Sequence, residues 1–552
     1  MTAVAPKSET NVKETIESIL VAFILAFIFR CFVVEAFVIP TGSMAPTLLG
    51  ANMQFRCPDC GYRFTAGYSL NARDDTFSVP DQANGHVFSI ICPNCGMRLP
   101  RQLDKDRDND ASEPFIRYGD RILVMKYLYL VNDPKRWDVI VFKTPDSAGR
   151  SSNYSVNYIK RLIGKPGERL FVAEGDLYVS PDTGKPAQPE DFVVQTKPKH
   201  VQDALWRVVS DSDYVPIGLP RTYETANGNV QVDQPWTQPW QPAGDGWTNT
   251  TPRQFAFDNV NGVGTLRFNE TANPNKAALT DFLAYDQTRD QPGDGGQPDT
   301  FAKPSYGTLG DAFVSNVSDL KLSFVLDKFT GPGKVSAVVG KGDVEFAAEI
   351  DGSTVKLIKR IGAASTTIGE APLPSARPVT VAIQNVDYRA AVLINDTEVL
   401  HTTPKDYAPD VAAIIDRVRT GETPPRGFTR FDGDHAQATI SHVQLWRDVY
   451  YRDRDPMQPQ ARGIARDFPE HIVTLGKDEY FAMGDNSAMS SDARYWQERV
   501  DLDEEDLHVD AGRVPGRFLL GKAFFVYWPA GYRPVKGFPP VVPNFGEMRF
   551  IR

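Results

Sequence analysis

The sequence predicts a mainly β protein of several folding units, tethered by one N-terminal transmembrane helix. Three observations carry this expectation. At 552 residues the chain exceeds what one compact core organises. A single long apolar run occupies residues 16–39. Beyond it helical periodicity is scarce, while short apolar and alternating runs recur between turns rich in glycine and proline, 42 of each.

The apolar run begins at Ile16 and reads IESILVAFILAFIFRCFVVEAFVIP. As a helix, Ile19 to Ile39 measures about 31 Å, enough to cross a bilayer core. Arg30 and Glu35 interrupt it, and snorkelling would carry Arg30 to an interface. A cleaved signal peptide would end in small residues, but Phe37, Val38 and Ile39 are bulky. Residues 16–39 are therefore expected as a retained anchor and 1–15 as its tail. Lys7 and Lys13 favour a cytoplasmic N-terminus, which places everything after residue 40 on the far side of the membrane.

A net charge of −10 argues against the basic face of a nucleic-acid binder, so no nucleic-acid partner is expected. Residues 40–56 and 101–175 read as strands and turns around a cysteine-bearing insert at 57–100. A longer insert spans 176–465, and short apolar runs return over 466–552.

Three segments carry chemistry. Thr41-Gly42-Ser43-Met44-Ala45-Pro46 follows the apolar run directly, and a serine beside glycine can be approached closely by backbone and substrate. Alone it reads as a turn serine. Tyr158-Ile159-Lys160-Arg161-Leu162-Ile163-Gly164 sets a lysine among apolar residues. Burial would lower its pKa and let the amine act as a base, although a lone strand lysine is ordinarily solvated. Gly484-Asp485-Asn486-Ser487-Ala488-Met489-Ser490-Ser491-Asp492-Ala493-Arg494 reads either as a turn-rich loop or as a scaffold whose hydroxyl orients the lysine.

Taken in order, these segments closely resemble type I signal peptidases. Tyr118-Gly119-Asp120-Arg121-Ile122-Leu123-Val124 and Asp138-Val139-Ile140-Val141-Phe142 resemble the strand boxes of that family. The resemblance covers roughly the 220 residues outside the inserts and implies a signal-peptidase-type β catalytic domain. It implies Ser43 as nucleophile, Lys160 as general base, Ser490 as the hydroxyl orienting the amine, and Asp492 with Arg494 as supports. The oxyanion hole would combine the Ser43 N–H with the Thr41 hydroxyl, where relatives often carry serine. Trp137 stands where many members have glycine, so its turn geometry is open. The implied function is a membrane-bound serine endopeptidase removing signal peptides from exported preproteins. Its partners would be those signal peptides, the lipid bilayer and the secretion translocon, with no catalytic cofactor. A Ser-His-Asp hydrolase is poorly supported: the seven histidines fall mostly in the inserts, and no G-x-S-x-G elbow is present. The rival from another class is a tethered binding protein that keeps the protease core as a scaffold.

In the smaller insert, Cys57-Pro-Asp-Cys60-Gly and Cys92-Pro-Asn-Cys95-Gly form paired C-x-x-C turns, matching a structural zinc site of zinc-ribbon type. Two disulfides or redox pairs compete with zinc, because this side of the membrane is oxidising. The larger insert alternates well. Leu320, Leu322, Phe324 and Leu326 share one face, and VEFAAEIDGSTVKLIKR and YRAAVLINDTEVL read as hairpins. Its expected fold is a β-sandwich, jelly-roll-like, folding by itself and removable without loss of the Ser/Lys chemistry.

Overall fold

The structure is a computed structural model. It describes residues 12–67, 90–99, 116–143, 157–224, 230–273, 279–287, 315–453, 462–496 (except 464, 466, 467 and 471), 500–502, 507–531 (except 530), 542 and 544–552. The tail up to residue 11 lies outside the described residues, as do parts of the two inserts, His86 of the smaller one included.

Val12–Ile28 forms helix α1, continued by a π-helical turn at Phe29–Val33. The side chains from Glu14 to Ile28 are all exposed, the apolar ones included. Among the described residues no helix is long and apolar enough to cross a membrane. The helix expected over 16–39 is therefore corrected at its C-terminal end, where the chain leaves helical geometry and enters a sheet. Val34–Val38 pairs antiparallel with Arg121–Met125, and Glu35 meets Lys126 at 3.1 Å. The β-branched and aromatic residues of VEAFV suit a strand, and Glu35 finds a cation that a bilayer would not supply.

That strand, β1 (Val34–Val38), opens an eight-stranded sheet with β2 (Arg121–Met125), β3 (Val139–Lys143), β4 (Asn157–Gly164), β5 (Glu479–Met483), β6 (Val514–Pro515), β7 (Leu519–Trp528) and β8 (Arg549–Phe550). Its order is β1–β2–β7–β3–β4–β5–β6, with β8 beside β7, and the pairs are antiparallel. Ile39, Met44 and Leu48 pack into one core with Ile122, Val124, Val139 and Val141, so the serine loop is seated on this sheet.

A second, four-stranded sheet runs in the order Val193–Val194, Asp176–Pro181, Glu168–Ala173, Val473–Thr474. The insert border expected at residue 176 cuts through it. Thirteen strands form the large insert's sheet, built around the 21-residue strand Gly427–Arg447. Leu320, Leu322, Phe324 and Leu326 are all fully buried in its core together with Trp240 and Trp247. The two expected hairpins are present, Val344–Ile350 with Thr354–Ile361 and Arg389–Ile394 with Thr397–His401. Asn395 and Asp396 both take positive φ, 47° and 62°, as a primed hairpin turn requires.

The large insert packs against the catalytic sheets. Val201, Leu205, Val449 and Tyr451 share a core cluster with Trp137, Ile140, Phe142 and Leu162. At the same junction Lys341 Nζ meets Asp176 at 3.1 Å and Asp319 at 2.9 Å, and Lys197 pairs with Asp387 and Asp448, all six side chains being buried. Trp137 takes φ +75° where glycine would be unstrained. Its ring lies nearly parallel to Tyr451, with centroids 6.5 Å apart, and Lys197 Nζ sits over it at 5.6 Å. The insert thus supplies the packing that holds tryptophan at this turn.

Candidate active site

Ser43 lies in a run of tight turns closed by bonds from the Ala45 amide to the Gly42 carbonyl and from the Leu48 amide to the Met44 carbonyl, both 2.9 Å. Asp120 anchors the loop's far end by accepting from the Leu49 amide at 3.0 Å. Arg549 donates to both Asp120 and the Thr47 carbonyl at 2.9 Å. Ser43 is left 8% exposed.

Lys160 sits in the middle of β4, between β3 and β5, and is 4% exposed. Its Nζ lies 2.9 Å from Ser43 Oγ and 3.1 Å from the Ile159 carbonyl. Burial lowers its pKa to about 8, while the charges of Asp492 and Asp485 pull the other way. An amine tuned in this way keeps a sizeable neutral fraction near physiological pH, the form a general base needs.

A buried ion pair fixes the scaffold around this contact. Asp492 takes Arg494 on both carboxylate oxygens, at 2.9 and 2.8 Å, and also accepts from the Gly484 amide at 3.0 Å. Arg494 continues to Ser487 Oγ and to the Arg452 carbonyl. Gly484 has no room for a side chain: a Cβ there would fall 2.3 Å from Ser490 Oγ and 2.4 Å from the Ser43 carbonyl oxygen. Its smallness is what lets this loop lie against the serine loop.

Not every expected contact forms. Ser490 Oγ is buried with no hydrogen-bond partner, so the expected bond to the amine is absent in this structure. Thr41 is exposed at the start of the serine loop. His435 and His442 are exposed on the insert, paired with Asp434 and Asp213.

The structure adds residues that the motifs did not single out. Arg161 forms a bidentate pair with Asp485, both bonds 2.7 Å and both side chains fully buried, tying β4 to the loop after β5. Asn486 donates its backbone N–H to the Ser43 carbonyl and its side-chain amide to the Gly42 carbonyl, each at 3.1 Å. Arg161 and Asp485 both lie in the segments that carry chemistry, but nothing in either segment pairs one with the other.

The four insert cysteines are free thiols brought together from two turns. Cys57 Sγ lies 3.6 Å from Cys95 Sγ, and Cys60 Sγ lies 3.7 Å from Cys92 Sγ. All four sulfurs lie within 4.8 Å of one another. A zinc–sulfur distance of about 2.3 Å implies a tetrahedral edge of about 3.8 Å, so the cluster is compatible with a structural zinc. The two turns match: the Gly61 amide donates to Cys57 and the Gly96 amide to Cys92, with φ +77° and +72° at the two glycines.

A family model described as signal peptidase, peptidase S26, matches residues 12–62, 106–230 and 380–528. The chain belongs to the signal peptidase family. Two signal peptidases I are similar to it. One, from Leptolyngbya laminosa, is 37% identical over 17% of this chain and 43% of its own length. The other, from Rickettsia typhi (strain ATCC VR-144 / Wilmington), is 24% identical over 32% of this chain and 46% of its own length. The matched part thus spans less than half the length of these curated signal peptidases. A solved carbohydrate binding module, CBM66 from Bacillus subtilis, is similar over 38% of this chain and 94% of its own, at 12% identity and a TM-score of 0.22, too low for any argument about the insert.

Proposed function

We propose that this chain is a membrane-bound serine endopeptidase that removes signal peptides from exported preproteins with a Ser43/Lys160 dyad. One observation carries the reading: a buried amine held at about 8 lies 2.9 Å from a serine hydroxyl. Neutral Lys160 takes the Ser43 proton as the oxygen attacks the scissile carbonyl, the amine leaves protonated, and Lys160 then activates water against the acyl-enzyme. With the lone pair on Ser43 and one N–H on Ile159, the neutral amine keeps a second N–H. Ser490 Oγ, buried and unused, is its acceptor in the working site. The Ser43 N–H and the Thr41 hydroxyl form the oxyanion hole, each contributing on the order of 3 kcal/mol.

The finer features belong to the same proposal. Helix α1 exposes Phe23 and Phe27 by 72% and 69%, along with apolar side chains on every other face, a surface suited to lipid. It anchors the catalytic domain at the extracytoplasmic side of the cell membrane, where signal peptides arrive from the translocon. Zinc at Cys57, Cys60, Cys92 and Cys95 is structural. The large insert's sheet doubles over as a sandwich, a reading supported by its large shared core and by the approach of Ala364–Pro372 to Thr397–His401. The test is cleavage of a synthetic signal-peptide substrate. Ser43→Ala and Lys160→Ala each abolish turnover while the fold persists, whereas Lys143→Ala retains it. Substantial turnover by a folded Ser43→Ala chain defeats the assignment.

A further inference from the structure

The short segment Leu279–Gln287 of the large insert lies directly on the serine loop. The Tyr285 ring fills the space that side chains at Gly42 and Gly67 would need: a Cβ would fall 2.1 Å from the ring at Gly42 and 2.5 Å from it at Gly67. Its hydroxyl donates to the Ala51 carbonyl at 3.2 Å, and its ring packs with Ala45 and Leu49. Next to it, Asp286 Oδ1 accepts from Asn486 Nδ2 at 2.6 Å. The same amide nitrogen donates its other hydrogen to the Gly42 carbonyl, and the Asn486 backbone N–H holds the Ser43 carbonyl. A second tie runs from Asp281 to Arg452 at 2.5 Å, and the Arg452 amide donates to Ser487 Oγ at 2.8 Å.

We propose that Asp286 is a positioning residue for the peptidase reaction, supplied by the insert and acting on Ser43 through Asn486. An asparagine amide rotates easily about its last torsion and presents either oxygen or nitrogen. The charge-assisted bond from Asp286 fixes the nitrogen toward the serine loop. The amide then clamps the Gly42 carbonyl while the neighbouring backbone clamps that of Ser43. The peptide plane between the two residues carries the Ser43 N–H, so its tilt is set from outside the catalytic sheet. The insert is in this sense part of the nucleophile's mounting, so this proposal and removal of the insert without loss of chemistry make opposite predictions. The proposal rests on Ser43 being the nucleophile.

The experiment compares kcat and KM of the full chain with those of Asp286→Ala and Asp286→Asn on a synthetic signal peptide, with thermal melting as the control for folding. Asp286→Ala lowers kcat roughly tenfold at nearly unchanged KM, because small misplacements of reacting groups cost rate rather than binding. Asp286→Asn recovers most of that loss, since its carbonyl oxygen still accepts from Asn486. Three results overturn the proposal: an unchanged kcat in Asp286→Ala, a change confined to KM, or equal losses in both variants. If Asp286→Ala melts far below the parent, Asp286→Asn decides alone, and a tenfold loss there in a folded protein overturns it as well. Ser43→Ala run alongside separates the two claims. If that variant is inactive while Asp286→Ala is not impaired, only the positioning role fails.

Discussion

Lys160 Nζ and Ser43 Oγ lie 2.9 Å apart although 117 residues separate them in sequence. The contact depends on β4 holding the lysine in the sheet's interior while Met44 and Leu48 seat the serine loop on the same sheet.

In the proposed dyad the buried amine makes the reaction pH-dependent with a definite sign. Its pKa is depressed to about 8, so the reactive neutral form grows as pH rises. The expected kcat/KM increases about tenfold per pH unit below that value and levels off above it. A profile flat through neutrality, measured with the full chain on a soluble peptide, contradicts Lys160 as the base.

Asp485 pairs with Arg161 in a fully buried bidentate contact. Asp485→Ala leaves the guanidinium without its carboxylate and is expected to cost about 3–5 kcal/mol of stability. Denaturant unfolding measures it, and a loss under about 1 kcal/mol contradicts the pair's structural role.

The cysteine cluster predicts about one zinc per chain by elemental analysis. Chelation is expected to lower the melting temperature and to loosen the contacts that bind this unit to the large insert. Those contacts include Arg221 with Asp59 at 3.0 Å and with the Cys95 carbonyl. Masses corresponding to two disulfides, with no metal, overturn the site.

Lys341 stands between two buried carboxylates, Asp176 of the four-stranded sheet and Asp319 of the insert. Lys341→Met removes the cation that pairs with both carboxylates and is expected to destabilise the junction by about 3–5 kcal/mol. Burial already raises the Asp176 pKa well above the usual carboxylate range, whereas Asp319 is held below it against its own burial by Lys341 and the Asp387 amide, so the loss is expected to shrink as pH falls and Asp176 protonates. Unfolding curves at two pH values check both the size and the direction.

Much of the site was legible in sequence because its chemistry sits in short contiguous motifs. Ser43 after glycine, Lys160 within an apolar strand and the Asp492/Arg494 pair two residues apart are local patterns, and the two C-x-x-C turns are as well. The alternation of Leu320, Leu322, Phe324 and Leu326 likewise fixed the inward face of a strand.

What the tertiary structure alone decided are the relations between segments with no local signature. Hydropathy ran a helix on to Ile39, because it cannot register that Val34–Val38 has a strand partner at Arg121–Met125. No spacing announces that Arg161 will meet Asp485, or that Asp286, 200 residues from Asn486, will hold its amide. Trp137 made sense only once Tyr451 was found against its ring. Periodicity and motifs report how a segment relates to water and to its immediate neighbours. Which remote segment completes it is set by packing, and that information is distributed over residues that meet only in the folded chain.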